Sequence, residues 1–461
     1  MRIELCAPLR LSGAFTAAMG VSCAPAVYVG GIATDSREVH PGDLFVALEG
    51  AQTDGARYAA DAIRRGAVGV MGKAFPTLPP VPLVLRLDPG AALLRAATAY
   101  RRSTRAFVVA VSGSTGKTTA KEAIATVLSQ KGRVRKSEGN YNSTLGMPLS
   151  VLSFGDADFW VLELGINHMG EMRAMAEVAA PDLAVLTNVG TAHVGQFGGF
   201  DTLLHEKAQI AATLSDRGLL LAPFDLPACA FPCGCGRIRS VGQDRRADFY
   251  AENIHTSEKG TTGDLITPDR VITNLNWSVQ GRVGVATLTT VGAACTLAGC
   301  DGEQLRKGLA LAGKTTPRLS TFSVGKRLLI DDCYNASPEA VLGALEVLFH
   351  RANGRPKAAV LGDMLELGES GDALHKAIGA SLVRMGVSLL FTYGEKARAF
   401  AEGARMGGMT DDTVFTFDVG DESALAKAIL RVTPENAAIL FKGSGRMKMS
   451  RILEEVKGRY E

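Results

Sequence analysis

No excess of charge of either sign marks this chain. Lys plus Arg number 50 against 47 for Asp plus Glu over 461 residues, a net +3, so the basic field that general nucleic-acid or anionic-membrane binding requires is missing. Any anion must be recognised locally. Uninterrupted apolar runs are missing too. Leu11 to Thr34 carries no charge, but Gly13, Gly20, Pro25, Gly30 and Gly31 break it, and Glu4 stands where a signal peptide has only positive charge. Val283 to Cys300 is also uncharged, yet its threonines and glycines leave it far less apolar than a spanning helix of about 20 residues. It reads as a buried helix, and no membrane insertion is expected. Paired cysteine motifs are absent: the eight cysteines are scattered over a chain too large to need covalent stapling, which reads as a reduced, cytoplasmic protein. The cluster Cys229-Ala-Phe-Pro-Cys-Gly-Cys235 offers three thiols without a fourth ligand and reads as a loop with incidental thiols. Solenoid repeats and low-complexity tracts are absent as well.

What is present is length and rhythm. A chain of 461 residues exceeds one hydrophobic core, and domains of roughly 100–200 residues make three the natural number. Residues 1–102 mix short apolar runs with the turns Thr34-Asp-Ser-Arg37, Pro41-Gly-Asp-Leu-Phe45 and Thr53-Asp-Gly55, a small α/β unit, and Arg101-Arg-Ser-Thr-Arg105 reads as a polar hinge. Residues 103–313 alternate strands (107–111, 159–164, 183–187) with helices (117–130, 170–180, 202–214), the rhythm of a mostly parallel sheet flanked by helices. Leu226 to Gln280 loses that rhythm and reads as a shorter-stranded insertion before a helical stretch from Val283 to Ala312. In residues 314–461, strands expected at 327–331, 358–361, 389–393 and 438–441, each followed by an amphipathic helix, describe a Rossmann-like, doubly wound unit. The monomer is the default expectation.

The stretch richest in chemistry is Val108-Val-Ala-Val-Ser-Gly-Ser-Thr-Gly-Lys-Thr-Thr119. An apolar strand runs into a glycine-punctuated loop that opens a helix. Gly113 and Gly116 let backbone N–H groups approach phosphate oxygens, Lys117 reaches the β/γ-phosphates and Thr118 holds Mg²⁺. Val111 stands where the usual spacing has its first glycine, so this is a shortened P-loop, and ATP or GTP is the expected ligand. Three further groups fall at strand ends of the same unit: Glu163 after an apolar strand, Asn188 and His193 after the next, and Lys207 early in the following helix. A carboxylate and an imidazole beside Mg·ATP suit metal ligation or charge neutralisation in phosphoryl transfer.

Together these strings, Gly113-Ser-Thr-Gly-Lys-Thr-Thr119, Glu163-Leu-Gly165, Thr187-Asn188 with His193, and Lys207, resemble the ATP-dependent Mur ligases of bacterial cell-wall synthesis over nearly the whole chain. The resemblance implies a catalytic set of Lys117, Glu163, His193 and Lys207, with Thr118, Glu163, His193 and a carbamylated Lys207 around Mg²⁺. It implies ATP held by Gly113, Ser114, Thr115, Gly116, Lys117, Thr118, Thr119 and Asn188, and by Arg318 and Asp332 of the third domain. The family's His-Asn-x-x-Asn adenine motif appears here as Val283-Gly-Val-Ala-Thr287, which leaves Thr287 at the adenine position. Thr34, Ser36 and Arg37 look like the UDP-sugar site. Asn140 and Asn142 resemble the loop that brings the peptide to ATP, although Ser143 replaces a second asparagine. In the third domain, Tyr334, Asn335, Asp363, Lys442 and Ser444 lie in strings resembling the branch that joins D-alanyl-D-alanine to UDP-N-acetylmuramoyl-tripeptide through an acyl phosphate. The Asp-Asn-Pro-Arg signature of the branch adding a third amino acid is missing. A sister ligase, a folylpolyglutamate synthetase, a P-loop ATPase switch and an inactive binding module remain the alternatives.

Overall fold

Short aliphatic and β-branched runs bounded by turns build three sheets in the computed structural model, which describes residues 1–10, 27–50, 53–191, 194–232, 237–315 and 319–459. The first contains β1 (Arg2–Arg10), β2 (Tyr28–Ala33), β3 (Asp43–Val46), β4 (Gly69–Gly72) and β5 (Leu83–Arg86) in sequential order. Its first pair is antiparallel and the rest are parallel.

The central sheet is built from β6 (Phe107–Ser112), β7 (Val134–Lys136), β8 (Phe159–Glu163), β9 (Leu183–Leu186), β10 (Leu219–Pro223), β11 (Arg237–Gly242), β12 (Phe249–Ser257), β13 (Gly260–Ile266) and β14 (Val271–Trp277). Their order is β14-β13-β12-β11-β10-β9-β6-β8-β7. Chain direction across the sheet reverses at β6, which lies between β8 and β9, so a crevice opens at its carboxyl end, where the P-loop begins.

The stretch from Leu226 to Gln280 is not a shorter-stranded insertion. β11 and β12 continue the parallel sheet and β13 and β14 close it antiparallel, with nine residues in β12 and seven in each of the last two. Only the intervening helices disappear. The expected helix from Val283 to Ala312 is two, Gly281–Leu297 and Gly302–Thr315, parted where Gly299 takes φ +83°.

The third sheet holds β15 (Ser320–Val324), β16 (Arg327–Asp332), β17 (Lys357–Gly362), β18 (Val387–Tyr393), β19 (Val414–Phe417) and β20 (Ala438–Lys442), ordered β15-β16-β20-β17-β18-β19. All but the edge strand β15 run parallel. Two elements escaped the sequence reading here. β15 is a mostly exposed edge, and β19 has only four residues.

Two apolar layers join the sheets. On one face of the central sheet, Val109, Ile124 and Val291 belong to the same core as Ile330, Leu345 and Leu361 of the third unit. On the other, Val108, Trp160 and Met172 continue into Ile3, Val29 and Leu44 of the first. The expected polar hinge is corrected on this second face. Arg101 ends the helix Pro89–Arg102, is 8% exposed, and donates from Nε to Ala179 O at 2.9 Å and from Nη2 to Ala180 O at 3.0 Å. A guanidinium bound to two carbonyls at the carboxyl end of the helix Glu171–Ala179 fastens the junction. Among the described residues no helix is long and apolar enough to cross a membrane.

Candidate functional site

At the carboxyl end of β6 the loop is shaped by two backbone requirements. Gly113 takes φ +148°, and a Cβ there would lie 2.0 Å from Thr187 Oγ1; Gly116, in the left-handed region at φ +77°, starts the helix Lys117–Leu128. The first amides of that helix have no intrahelical acceptor and line a cavity of about 390 Å³. Asn188 stands behind the loop. Its Oδ1 accepts from Ser114 N (3.1 Å) and Thr115 N (2.9 Å), and its Nδ2 donates to Thr115 Oγ1 at 2.6 Å. Asn188 therefore braces the phosphate loop as well as lining the cavity. Lys117 folds back, donating to Gly113 O at 2.8 Å and Ser114 O at 3.3 Å.

Glu163, at the end of β8, is 2% exposed. Its Oε1 accepts from Thr118 Oγ1 at 3.2 Å and Asn142 Nδ2 at 2.8 Å, whereas its Oε2 is buried without a hydrogen bond. An ionisable oxygen of that kind is costly unless a cation faces it. Lys121 Nζ lies 3.8 Å away, already donating to Ser137 O at 2.7 Å and paired with Glu122 Oε1 at 3.0 Å. Carboxylate and hydroxyl oxygens opening on a phosphate cradle are the donor set of Mg²⁺, which takes one or two protein carboxylates and fills its shell with phosphate and water. Among the described residues no cluster of three His, Cys, Asp or Glu could hold a metal on its own. The residues present fit a cation shared with a phosphate ligand.

Lys207 is 1% exposed, and its Nζ donates to Gly113 O at 3.1 Å, the same carbonyl that accepts from Lys117. Burial, then the nearby Lys117 cation, push the Lys207 amine well below its usual range, against the opposing pull of Glu206. Glu206 itself caps the helix Glu171–Ala179, accepting from Gly170 N and Met172 N at 2.9 Å each.

The opposite wall comes from the third unit. Lys442, at the end of β20, is 2% exposed and donates to Asp332 Oδ2 at 2.5 Å and Asn335 O at 2.8 Å. Asp332, Tyr334, Asn335 and Lys442 all line the cavity, and so does Thr287 on the helix Gly281–Leu297. The sequence-predicted Ser114 to Thr119, Asn142, Glu163, Asn188 and Lys207 meet them there. Gly113 lies directly behind, through its carbonyl.

Three positions expected at this site are placed elsewhere. Asp363 accepts from Ala397 N at 2.7 Å, and Ser444 Oγ accepts from Leu365 N at 2.9 Å, so both side chains hold backbone and neither lines the cavity. Burial raises the Asp363 carboxyl above its usual range. Asn140 is exposed outside the cavity. His193 and Arg318 lie outside the described residues, as do Cys233 and Cys235; Cys229 is an exposed free thiol. Thr34, Ser36 and Arg37 line a separate cavity of about 550 Å³ in the first unit with Phe45, Leu48 and Tyr58. There Arg37 holds the Asp35 carboxylate far below its usual range.

Residues that the sequence reading missed include Lys121, one helical turn beyond Lys117 and findable from that spacing. They also include Glu339, whose Oε1 accepts from Thr191 N and Thr191 Oγ1 at 2.9 Å each, bridging the third unit to the loop after β9. Val283, Ala286, Gly343 and Ala344 line the cavity where two helices cross, and carry no local signal.

Comparison with known proteins extends the geometry. The chain matches the Mur ligase family catalytic domain over residues 28–85, the Mur ligase middle domain over 111–295, and the Mur ligase glutamate ligase domain over 318–445. The UDP-N-acetylmuramoyl-tripeptide–D-alanyl-D-alanine ligase of Bacillus subtilis is 31% identical over 434 residues, 92% of this chain and 93% of that one. A crystal structure of MurF from Acinetobacter baumannii superposes with a TM-score of 0.88 at 27% identity, covering 99% of both chains. MurF ligase of Thermotoga maritima, solved in complex with ADP, gives 0.80 at 26% identity over 93% of this chain and 97% of that one. Sequence, sheet order and cavity agree: the chain belongs to the Mur ligase family.

Proposed function

We propose that this enzyme uses ATP to join D-alanyl-D-alanine to UDP-N-acetylmuramoyl-tripeptide, the reaction named for its Bacillus subtilis relative. The observation that carries this reading is the cavity walled by the phosphate loop on one side and by Asp332, Asn335 and Lys442 on the other, with the buried Glu163 carboxylate between. The terminal carboxylate of the tripeptide attacks the γ-phosphorus of ATP and ADP departs. The resulting acyl phosphate is attacked by the dipeptide amine, which loses a proton as the tetrahedral intermediate expels inorganic phosphate. Backbone amides of residues 116–119 and the Lys117 ammonium stabilise charge developing on the phosphoryl oxygens. Mg²⁺, when bound, neutralises charge on the β- and γ-phosphates. Thr118 and Glu163 would hold it, His193 would join them, and Lys207 would add an anionic oxygen as a carbamate, a reaction of the neutral amine that burial beside Lys117 favours. Walls from two units exclude water from the acyl phosphate.

The division of labour assigns residues 1–102 to the UDP-sugar, 103–313 to ATP, and 314–461 to the dipeptide and part of ATP. Each part contains one sheet, and the cavity around Thr34, Ser36 and Arg37 suits the uridine nucleotide. Nucleotide-activated substrate and ATP are cytoplasmic, and the protein acts there as a monomer.

Phosphate release measured with the tripeptide nucleotide, with and without D-alanyl-D-alanine, tests the reading. Release dependent on both, with the pentapeptide product identified by mass, is the expected result. Equal consumption of free lysine or diaminopimelate would overturn the dipeptide assignment, and release without any acceptor would favour an ATPase switch.

A further inference from the structure

The helix that opens with Lys117 carries a second lysine behind the phosphate site. Lys121 follows Lys117 by four residues, on the same face and one turn deeper. Helical side chains lean toward the amino end, so its stem returns the ammonium toward the end of β8. There Lys121 is fully buried. Its Nζ donates to Ser137 O at 2.7 Å, pairs with Glu122 Oε1 at 3.0 Å, and stands 3.8 Å from Glu163 Oε2. Glu122 is paired through its other oxygen with Lys136. Burying an ammonium this completely is costly unless charges and acceptors surround it, and the ligation chemistry proposed above gives it no task.

Ser137 ties the same lysine to the same carboxylate. It follows β7, donates its amide to Val161 O at 3.0 Å, and accepts from Glu163 N through Oγ at 2.9 Å. Glu163 is thus held from behind in two places. Ser137 holds its backbone, and the charge of Lys121, too distant for a hydrogen bond, faces its buried Oε2. Oε1 is left with Thr118 and Asn142, both of which line the cavity. A carboxylate whose rear oxygen faces a fixed ammonium has its front oxygen to offer a metal, in a direction set before the metal arrives.

We infer that Lys121 is a positioning residue for the metal: a built-in counter-ion that fixes the Glu163 carboxylate with Oε1 presented to the cavity, so that Mg²⁺ meets a ligand already in place. The inference rests on the ATP-dependent reading above and adds to it a residue that stands behind the cavity lining.

Calorimetric titration of the intact enzyme with the non-hydrolysable β,γ-imido analogue of ATP, with EDTA and at graded Mg²⁺ concentrations, separates the metal's contribution from that of the phosphate loop. In the wild type Mg²⁺ should tighten binding. In Lys121→Met, of similar length but uncharged, the metal-free dissociation constant should stay within about threefold of the wild type, while the Mg²⁺ concentration giving half the tightening rises about 10–100-fold, the range for losing a partner that orients a metal ligand. The Mg²⁺ concentration for half-maximal phosphate release should rise likewise. An unchanged or lower Mg²⁺ requirement overturns the inference, because a side chain that only fills space or repels the metal gives that result. Equal weakening with and without Mg²⁺ also overturns it, since Lys121 would then hold the phosphate loop and not Glu163. Should Lys121→Met fail to fold, Lys121→Gln, which keeps an N–H for Ser137 O without the charge, carries the same comparison with the same expected outcome. A wild type indifferent to Mg²⁺ would defeat the ATP reading itself, and the inference with it.

Discussion

Lys207 holds its amine where the fold leaves almost no water, and a second lysine shares the carbonyl that accepts from it. Both effects favour the neutral form. A neutral amine can add to carbon dioxide; an ammonium cannot. The carbamate so formed would replace a cation that repels Mg²⁺ with a hard oxygen ligand. Lys207→Ala is therefore expected to lose more than about a hundredfold in kcat, as deletion of a group stabilising transition-state charge does. Formate or acetate should partly restore it by filling the vacated space with a carboxylate. Phosphate release by the variant, with and without added carboxylate, provides the check, and wild-type rates in the unsupplemented variant would refute the role. The same logic applies to Gly113. Its φ of +148°, and the 2.0 Å that would separate an added Cβ from Thr187 Oγ1, leave no room for a side chain. Gly113→Ala should abolish ADP binding in a calorimetric titration while the thermal transition remains cooperative.

At the scale of elements, the loop after β17, where Asp363 was expected at the site, is held from the helix Gly371–Ser381 by a side chain that serves the fold. His375, fully buried against Phe400, accepts from Met364 N through Nε2 at 3.0 Å, and its Nδ1 lies 2.7 Å from Gly371 O. The first contact requires an unprotonated Nε2, so the imidazole is neutral with its proton on Nδ1. Burial pushes its pKa down; the Gly371 carbonyl, Asp363 and Asp372 oppose that, and Lys396 reinforces it. The unfolded chain therefore takes up this proton first as pH falls. The stabilisation is complete above about pH 6.5, the ordinary histidine value, and is lost progressively below it. Melting temperatures should fall from pH 7 to pH 5 more steeply in the wild type than in His375→Gln, whose amide oxygen can accept from Met364 without titrating. Parallel slopes would remove His375 from the account.

This loop also marks the limit of what the sequence discloses. The phosphate loop was legible because its glycines, lysine and threonine must occupy fixed positions along one strand–turn–helix joint, and Glu163 and Asn188 because strand ends in a parallel sheet face one crevice. Asp363 and Ser444 also follow strands, but whether a polar side chain at such an end faces a ligand or a neighbouring amide depends on contacts with Ala397 and Leu365, distant in sequence. Sequence periodicity carries no information of that kind. The apolar part of the cavity wall was hidden for the same reason, because Val283 and Gly343 meet only when two helices far apart in the chain cross.

For the whole molecule, the cavity exists only while the third unit rests on the central one, and a few polar contacts hold it there. Glu339 takes both the amide and the hydroxyl of Thr191, Glu346 Oε2 accepts from Arg282 N at 3.0 Å, and Arg351 donates to Gln280 Oε1 at 2.9 Å. Most of these groups are exposed or half-buried, so each contributes modestly, and a ligand bound to both walls can tip the balance. Glu339 is the contact nearest the phosphates. Glu339 is itself part of the cavity lining; removing its carboxylate should leave the phosphate loop, Asp332 and Lys442 intact but weaken the apposition of the two walls, so that part of the nucleotide's binding free energy goes into closing the molecule. Glu339→Ala is expected to raise the KM for ATP by about fivefold, the upper range of an exposed charged contact, with kcat nearly unchanged. Small-angle scattering should show the nucleotide-free variant more extended than the wild type, and saturating nucleotide should return it to the wild-type radius of gyration. Glu339→Gln, which keeps an acceptor for Thr191, should fall between the two. A variant with wild-type KM and unaltered scattering would mean that the apolar layer around Ile330 and Leu345 holds the units together without the bridge.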